Sequence, residues 1–150
     1  MKRHLKLYTY LVLAMAITFA SCGGEDDPSA EEQKAEELSG TWNLTTATPT
    51  GNDAVTLAGV SVTFSTALDY SIAGVDVLTS SNLNNGDDFA GAGTFTITGT
   101  NQEILTLTPG GAFTTTVSKE TGAISLQYSA PYPKATDAEI SITITGTLAN

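Results

Sequence analysis

Residues 94–98 read Thr-Phe-Thr-Ile-Thr and residues 140–145 read Ile-Ser-Ile-Thr-Ile-Thr, and this alternation decides the fold. Large apolar side chains take turns with hydroxyl side chains in both stretches, and residues 60–65 repeat the pattern. Because successive side chains of a β-strand point to opposite faces, a period of two indicates strands with one buried and one solvated face. No stretch of comparable length shows the 3.6-residue period of an amphipathic helix. The sequence therefore predicts an all-β domain.

Clusters of turn-forming residues divide the region from Leu38 onward into strands. Most connections between these strands are short, and short connections join antiparallel neighbours. Eight antiparallel strands in a meander are enough to close a small barrel. We predict eight strands, near residues 41–48, 56–65, 68–77, 93–99, 103–108, 112–118, 123–129 and 139–148.

The first 21 residues have the organisation of a secretory signal peptide. Met1–Lys6 is basic and contains no acid, and a mostly apolar run extends from Leu7 to Phe19. This run is shorter than the roughly 20 apolar residues that a membrane-spanning helix needs. We therefore predict that residues 1–21 are a cleaved signal peptide.

The end of the apolar run, Phe19-Ala20-Ser21-Cys22, resembles the lipobox of bacterial lipoproteins. The resemblance implies cleavage before Cys22, a diacylglyceryl group on its sulfur and acylation of the new amine. Acyl chains anchor a protein durably, because each buried methylene contributes about 0.8 kcal/mol. The predicted membrane partner is thus a lipid anchor on Cys22. An ordinary cleaved signal peptide or a free thiol is the alternative.

An acidic segment separates Cys22 from the β-domain. Residues 23–37 contain seven acids and no large apolar side chain, a composition that cannot offset the entropy lost on ordering. We predict a flexible tether over residues 22–37, with a short helical turn where Ser29 and Glu32 match a capping box. Glu25-Asp26-Asp27 resembles an acidic surface-export signal of lipoproteins from one group of Gram-negative bacteria, and a solvated charge run is the alternative. We expect an outer-membrane location.

Charge excludes some partners of the mature chain. Residues 22–150 contain all 16 acids but only three basic residues, Lys34, Lys119 and Lys134. Three scattered lysines cannot form the basic surface that nucleic acids need, so we predict no nucleic-acid partner.

The mature chain is also poor in catalytic side chains. His4 is lost with the signal peptide and Cys22 carries lipid, which excludes Cys–His catalysis and the usual zinc sites. Asp69 and Asp76 are a conceivable carboxylate pair, but exposed acids are the simpler interpretation. We predict no enzyme activity, no cofactor and no metal site.

The start of the β-domain, Gly40-Thr41-Trp42, resembles the first signature of the lipocalins and of lipocalin-like bacterial lipoproteins. The resemblance implies an eight-stranded barrel over residues 38–150, in which Trp42 closes the floor beneath a cavity for small hydrophobic molecules. The alternative fold is an immunoglobulin-like β-sandwich. The position of Trp42 argues against it, because immunoglobulin domains carry their buried tryptophan in the third strand and Trp42 lies in the first.

Bulky side chains on the buried face are the candidate ligand-contacting residues. Eight-stranded barrels either fill with side chains or hold one small ligand. The domain is therefore either a membrane-anchored, lipocalin-like protein that binds a small hydrophobic ligand, or a structural or interaction module without one. The candidates are Trp42, Phe64, Tyr70, Phe95, Phe113 and Tyr128.

The longest irregular stretch, Thr79–Ala92, allows three interpretations. Its oxygen-rich side chains suit calcium, but their spacing matches no known calcium loop. A polar hairpin tip is the favoured interpretation. A lid over the mouth of the barrel is the third, because long loops in compact domains are often functional.

Overall fold

The computed structural model describes residues 27–83, 88–132 and 139–149. The proposed signal peptide, Cys22 and the acids before Asp27 lie outside these ranges. The described elements are α1 (Ala30–Leu38), β1 (Gly40–Pro49), β2 (Val55–Phe64), β3 (Asp69–Ala73), α2 (Val75–Ser80), β4 (Ala92–Thr98), β5 (Ile104–Thr108), β6 (Ala112–Ser118), β7 (Ala123–Pro131) and β8 (Glu139–Leu148).

The eight strands form one closed barrel in sequence order. All neighbouring strands are antiparallel, and β8 returns to pair with β1 from Trp42↔Leu148 to Pro49↔Ile142. A sandwich would leave two separate sheets with open edges. The predicted eight-stranded antiparallel meander barrel is therefore confirmed, and the sandwich alternative is excluded.

The third strand is shorter than predicted. β3 ends at Ala73 because Gly74 adopts a left-handed conformation, with φ at +79°, and Val75–Ser80 then forms α2. A side chain at Gly74 would place its Cβ 2.6 Å from the carbonyl oxygen of Gly59. Only glycine therefore fits this turn, which lets α2 pack against β2 with Leu78 buried.

The segment before β1 contains a longer helix than the predicted short turn, because residues 30–38 form α1. The predicted capping box is present: Glu32 donates its backbone N–H to Ser29 Oγ at 3.2 Å, and Ser29 donates its own to Glu32 Oε2 at 2.7 Å. Ala35 and Leu38 are buried against the barrel. Ala35 and Leu38 are three positions apart, so they lie on the same face of α1. The tether was predicted from the absence of large apolar side chains in residues 23–37, and that criterion misses a face built from one alanine and one leucine.

The meander gives the barrel two distinct ends. The floor carries α1, which contacts β4 and β6, together with the turns after β2, β4 and β6. The mouth carries the connections after β1, β3, β5 and β7. Among these connections, the one from β3 to β4 is the long one and contains α2.

The wall of the barrel is almost free of charge. The eight strands contain two charged residues, Asp69 and Glu139, and each is the first residue of its strand. Hydroxyl side chains cover most of the outer face, while the inward positions form a single apolar core. Among the described residues, no helix is long and apolar enough to cross a membrane.

Candidate ligand-binding site

All six predicted ligand-contacting residues lie in the core of the barrel. None of them is more than 7% exposed. Phe64 and Phe95 meet edge-to-face in the floor half, with ring centroids 5.2 Å apart. Phe113 and Tyr128 meet in the mouth half, at 5.3 Å. The strand alternation thus placed these residues correctly inside, while their role in binding stays a prediction.

The floor is closed by Trp42 and the end of α1. Trp42 is fully buried, and its indole N–H donates to the backbone carbonyl of Leu38 at 2.7 Å. This hydrogen bond satisfies one of the carbonyls that a helix leaves unpaired at its C-terminus. The helix and the first strand are therefore joined through the core.

The mouth is closed by the β3–β4 connection, which inserts Leu83 and Phe89 into the barrel. Both side chains are at most 2% exposed. The Phe89 ring lies 5.0 Å from that of Phe113 and 5.4 Å from that of Tyr128. The Tyr128 hydroxyl donates to the backbone carbonyl of Leu83. We call Phe89, Phe113 and Tyr128 the mouth cluster.

Sequence analysis missed Leu83 and Phe89 as site residues. Of the three interpretations of Thr79–Ala92, the lid comes nearest to the observed positions of these two residues. The signal available in the sequence was that both are large apolar side chains among polar residues and glycines. Within the described ranges, no group of three or more His, Cys, Asp or Glu side chains could hold a metal ion.

The carboxylates considered as a catalytic pair do not meet. Asp69 begins β3 at the floor, whereas Asp76 lies in α2 beyond the other end of that strand. Both side chains are exposed. A glycosidase needs its two carboxylates on either side of one bond, within about 10 Å. The strand from Asp69 to Ala73 alone spans about 13 Å, which is more than this.

Polar atoms inside the barrel are mostly paired. Besides Trp42 and Tyr128, Tyr70 donates its hydroxyl to the carbonyl of Pro109. Burial raises the pKa of Tyr70, and burial together with the negative charge of Asp88 raises that of Tyr128, so both remain neutral donors at physiological pH. Thr115 is the exception: it is 4% exposed, and its Oγ1 has no hydrogen-bond partner among the described residues.

Depressions on the outer surface offer poorer sites. One, of about 570 Å³, lies between α1 and the β2–β3 turn and is lined by three glutamates. Another, of about 290 Å³, runs over β5, β6 and β7 beside Ile104, which is 39% exposed. Neither combines an apolar lining with convergent polar groups, as ligand pockets usually do.

The chain matches no protein-family model, no curated protein and no solved structure. Its function is therefore inferred from its own residues and contacts.

Proposed function

We propose that this chain is an outer-membrane lipoprotein, anchored by lipid on Cys22, whose barrel takes up one small apolar molecule at its mouth. The observation that carries the proposal is the position of Phe89. Its ring occupies an aromatic pocket formed by Phe113 and Tyr128, but it belongs to a connection and not to the wall. An apolar ligand could take the place of this ring without any strand leaving the barrel.

Two buried side chains and at least two hydrogen bonds hold the connection in the mouth. Burial of Phe89 contributes about 1.5–3 kcal/mol. The hydrogen bonds from Tyr128 to Leu83 and from Gly111 N–H to the carbonyl of Asp88 contribute about 0.5–1.5 kcal/mol each. Opening the mouth also exposes Leu83, and the total cost lowers the apparent affinity of a ligand that binds only the open barrel.

α1 packs on the floor, at the end of the barrel opposite the mouth. In the sequence, Cys22 precedes α1. With lipid on Cys22, we expect the anchor to join the domain on the floor side and the mouth to face the aqueous side. Small molecules can then reach the mouth from the aqueous side.

Titration of the domain with a panel of neutral lipophilic compounds tests the proposal. One saturable site is expected, together with a rise in melting temperature, since a ligand at a hundred times its dissociation constant stabilises the native state by about 2.7 kcal/mol. Phe113→Leu should weaken binding because it removes an aromatic wall of the pocket. Ile124→Val, a core change near the floor end of β7, is the control and should leave affinity unchanged. A full panel without saturable binding would contradict the proposal.

The lipid anchor has its own test. Wild-type protein from membranes should carry acyl mass on Cys22 as its first residue, and Cys22→Ala should yield uncleaved precursor or a soluble form. An unmodified mature chain that starts elsewhere would refute the anchor without affecting the ligand site.

A structural or interaction module is the second candidate, and the close contacts of the interior rings favour it. In a permanently filled barrel, Phe89 is simply part of the core. Phe89→Ala should then cost about 3–5 kcal/mol of stability and leave nothing for a ligand to displace. The two candidates therefore differ in ligand binding by the wild-type protein.

A further inference from the structure

Thr115 lies directly beneath the mouth cluster. On β6 its side chain points inward between those of Phe113 and Val117, and it pairs across the sheet with Leu126. Inward side chains two residues apart on a strand are separated by about 7 Å. The Thr115 hydroxyl is thus one inward position closer to the floor than the pocket that Phe89 occupies.

The surroundings of this hydroxyl are apolar. Phe113, Val117 and Leu126 are all buried, while the tyrosine hydroxyls of the interior are already bonded to Leu83 and Pro109. A buried hydroxyl without a partner destabilises the folded protein, because it loses its hydrogen bonds to water. A valine of nearly the same shape would avoid that cost, and the hydroxyl is available to bind a polar group that enters the barrel.

We infer that Thr115 binds the single polar atom of the ligand that enters the mouth, and that this ligand is a small neutral aromatic or alicyclic alcohol. The inference rests on the proposed function and names its ligand class. A ring fits because the ligand replaces the ring of Phe89 between two aromatic side chains. A hydroxyl fits because the hydroxyl of Thr115 both donates and accepts.

A charged head group fits this position poorly. An ionised carboxylate would lie among Phe113, Val117 and Leu126 without a cation, and an unpaired buried charge is far more costly than a buried neutral hydroxyl. The described lysines offer no counter-ion, because Lys34 pairs with Glu37 and Lys119 with Ser39 at the floor end. The described residues around Thr115 therefore favour a neutral alcohol over a fatty acid.

The test compares para-cresol with toluene, which differ only by a hydroxyl group. Dissociation constants for both compounds are measured on wild-type protein, Thr115→Val and Thr115→Ser. An apolar pocket prefers toluene, because para-cresol must give up water at its hydroxyl. We expect wild type to prefer para-cresol, and Thr115→Val to shift the affinity ratio towards toluene about 3- to 10-fold, the equivalent of one hydrogen bond. Thr115→Ser should keep the wild-type ratio.

The possible results separate this inference from the proposed function. Toluene binding that is unchanged in Thr115→Val, with the ratio shifted, supports both. Equal ratios in wild type and Thr115→Val overturn the role of Thr115 alone. No saturable binding of either compound overturns both. Without ligand, Thr115→Val should melt at or above the wild-type temperature, and a marked loss of stability would show a structural partner for Thr115 and overturn the inference.

Discussion

The two ends of this barrel are closed in different ways. At the floor, Trp42 belongs to a strand, and its indole N–H bonds to the helix that continues into that strand. At the mouth, Leu83 and Phe89 come from a connection of 18 residues between β3 and β4. Opening the floor would therefore separate β1 from α1, whereas moving the Leu83 and Phe89 side chains out of the mouth would break no pairing between the eight strands.

The difference shows that burial alone does not identify a structural residue. Trp42 and Phe89 are buried to almost the same extent. What separates them is the element that presents each side chain, since local opening is easiest where few backbone hydrogen bonds hold a segment. Variants at the two ends should therefore respond differently.

The largest effect is expected at the floor. Trp42→Ala should lose about 3–5 kcal/mol, because it leaves a large cavity and an unpaired Leu38 carbonyl. Phe89→Ala should lie at the lower end of the same range, since its connection can relax into the space. Urea denaturation of both variants measures the difference. If Phe89→Ala proves the more damaging change, the mouth is the more integral end.

A smaller effect is expected at Tyr128, and it should depend on pH. At pH 7, Tyr128→Phe should lose about 0.5–1.5 kcal/mol with the bond to Leu83. Because folding raises the pKa of Tyr128, its contribution is complete below the ordinary value of 10.0 and is lost as pH rises through the folded value. Wild type should therefore weaken above pH 10 more steeply than Tyr128→Phe. Parallel alkaline curves would place Tyr128 outside the core.

The smallest effect on unfolding of the whole domain is expected at α1, because a lost cap weakens the helix locally. Ser29→Ala should cost the helix about 1 kcal/mol by removing its cap. The bonds from Ser29 lower the pKa of Glu32, so the capping box stabilises α1 above the ordinary value of 4.5 and is lost as pH falls. Hydrogen exchange should quicken in α1 and stay unchanged in the strands. Faster exchange in β1 as well would mean that floor and helix open together.

Where alternation is strict, the sequence predicted the strands closely. β8 was predicted at 139–148 and lies there, because its isoleucines alternate with hydroxyl residues along most of its length. β3 was predicted to reach residue 77, although Val75 and Val77 are one position out of phase with Tyr70 and Ile72. The left-handed turn at Gly74 ended the strand, and this change of phase was the signal available in the sequence.

The sequence predicted the strand residues of the candidate site, but it did not predict the residues of the connection that closes the mouth. Phe113 and Tyr128 lie on strands, where alternation assigns a face. Leu83 and Phe89 lie in an irregular segment, which has no period, so only the three-dimensional path of the chain could place them inside. Thr115 shares the alternation of Phe113 and Val117, yet its missing partner depends on what surrounds it in space.

The pairing of β8 with β1 has a consequence for solubility. Open sheet edges are normally protected from intermolecular pairing by charged residues. The eight described strands contain only two charged residues, Asp69 and Glu139. The closed barrel has no open edge to protect. If β8 separates from β1, however, two long strands rich in threonine and isoleucine are exposed, a composition that favours intermolecular β-structure. Variants that weaken the β1–β8 pairing should therefore aggregate on heating instead of unfolding reversibly.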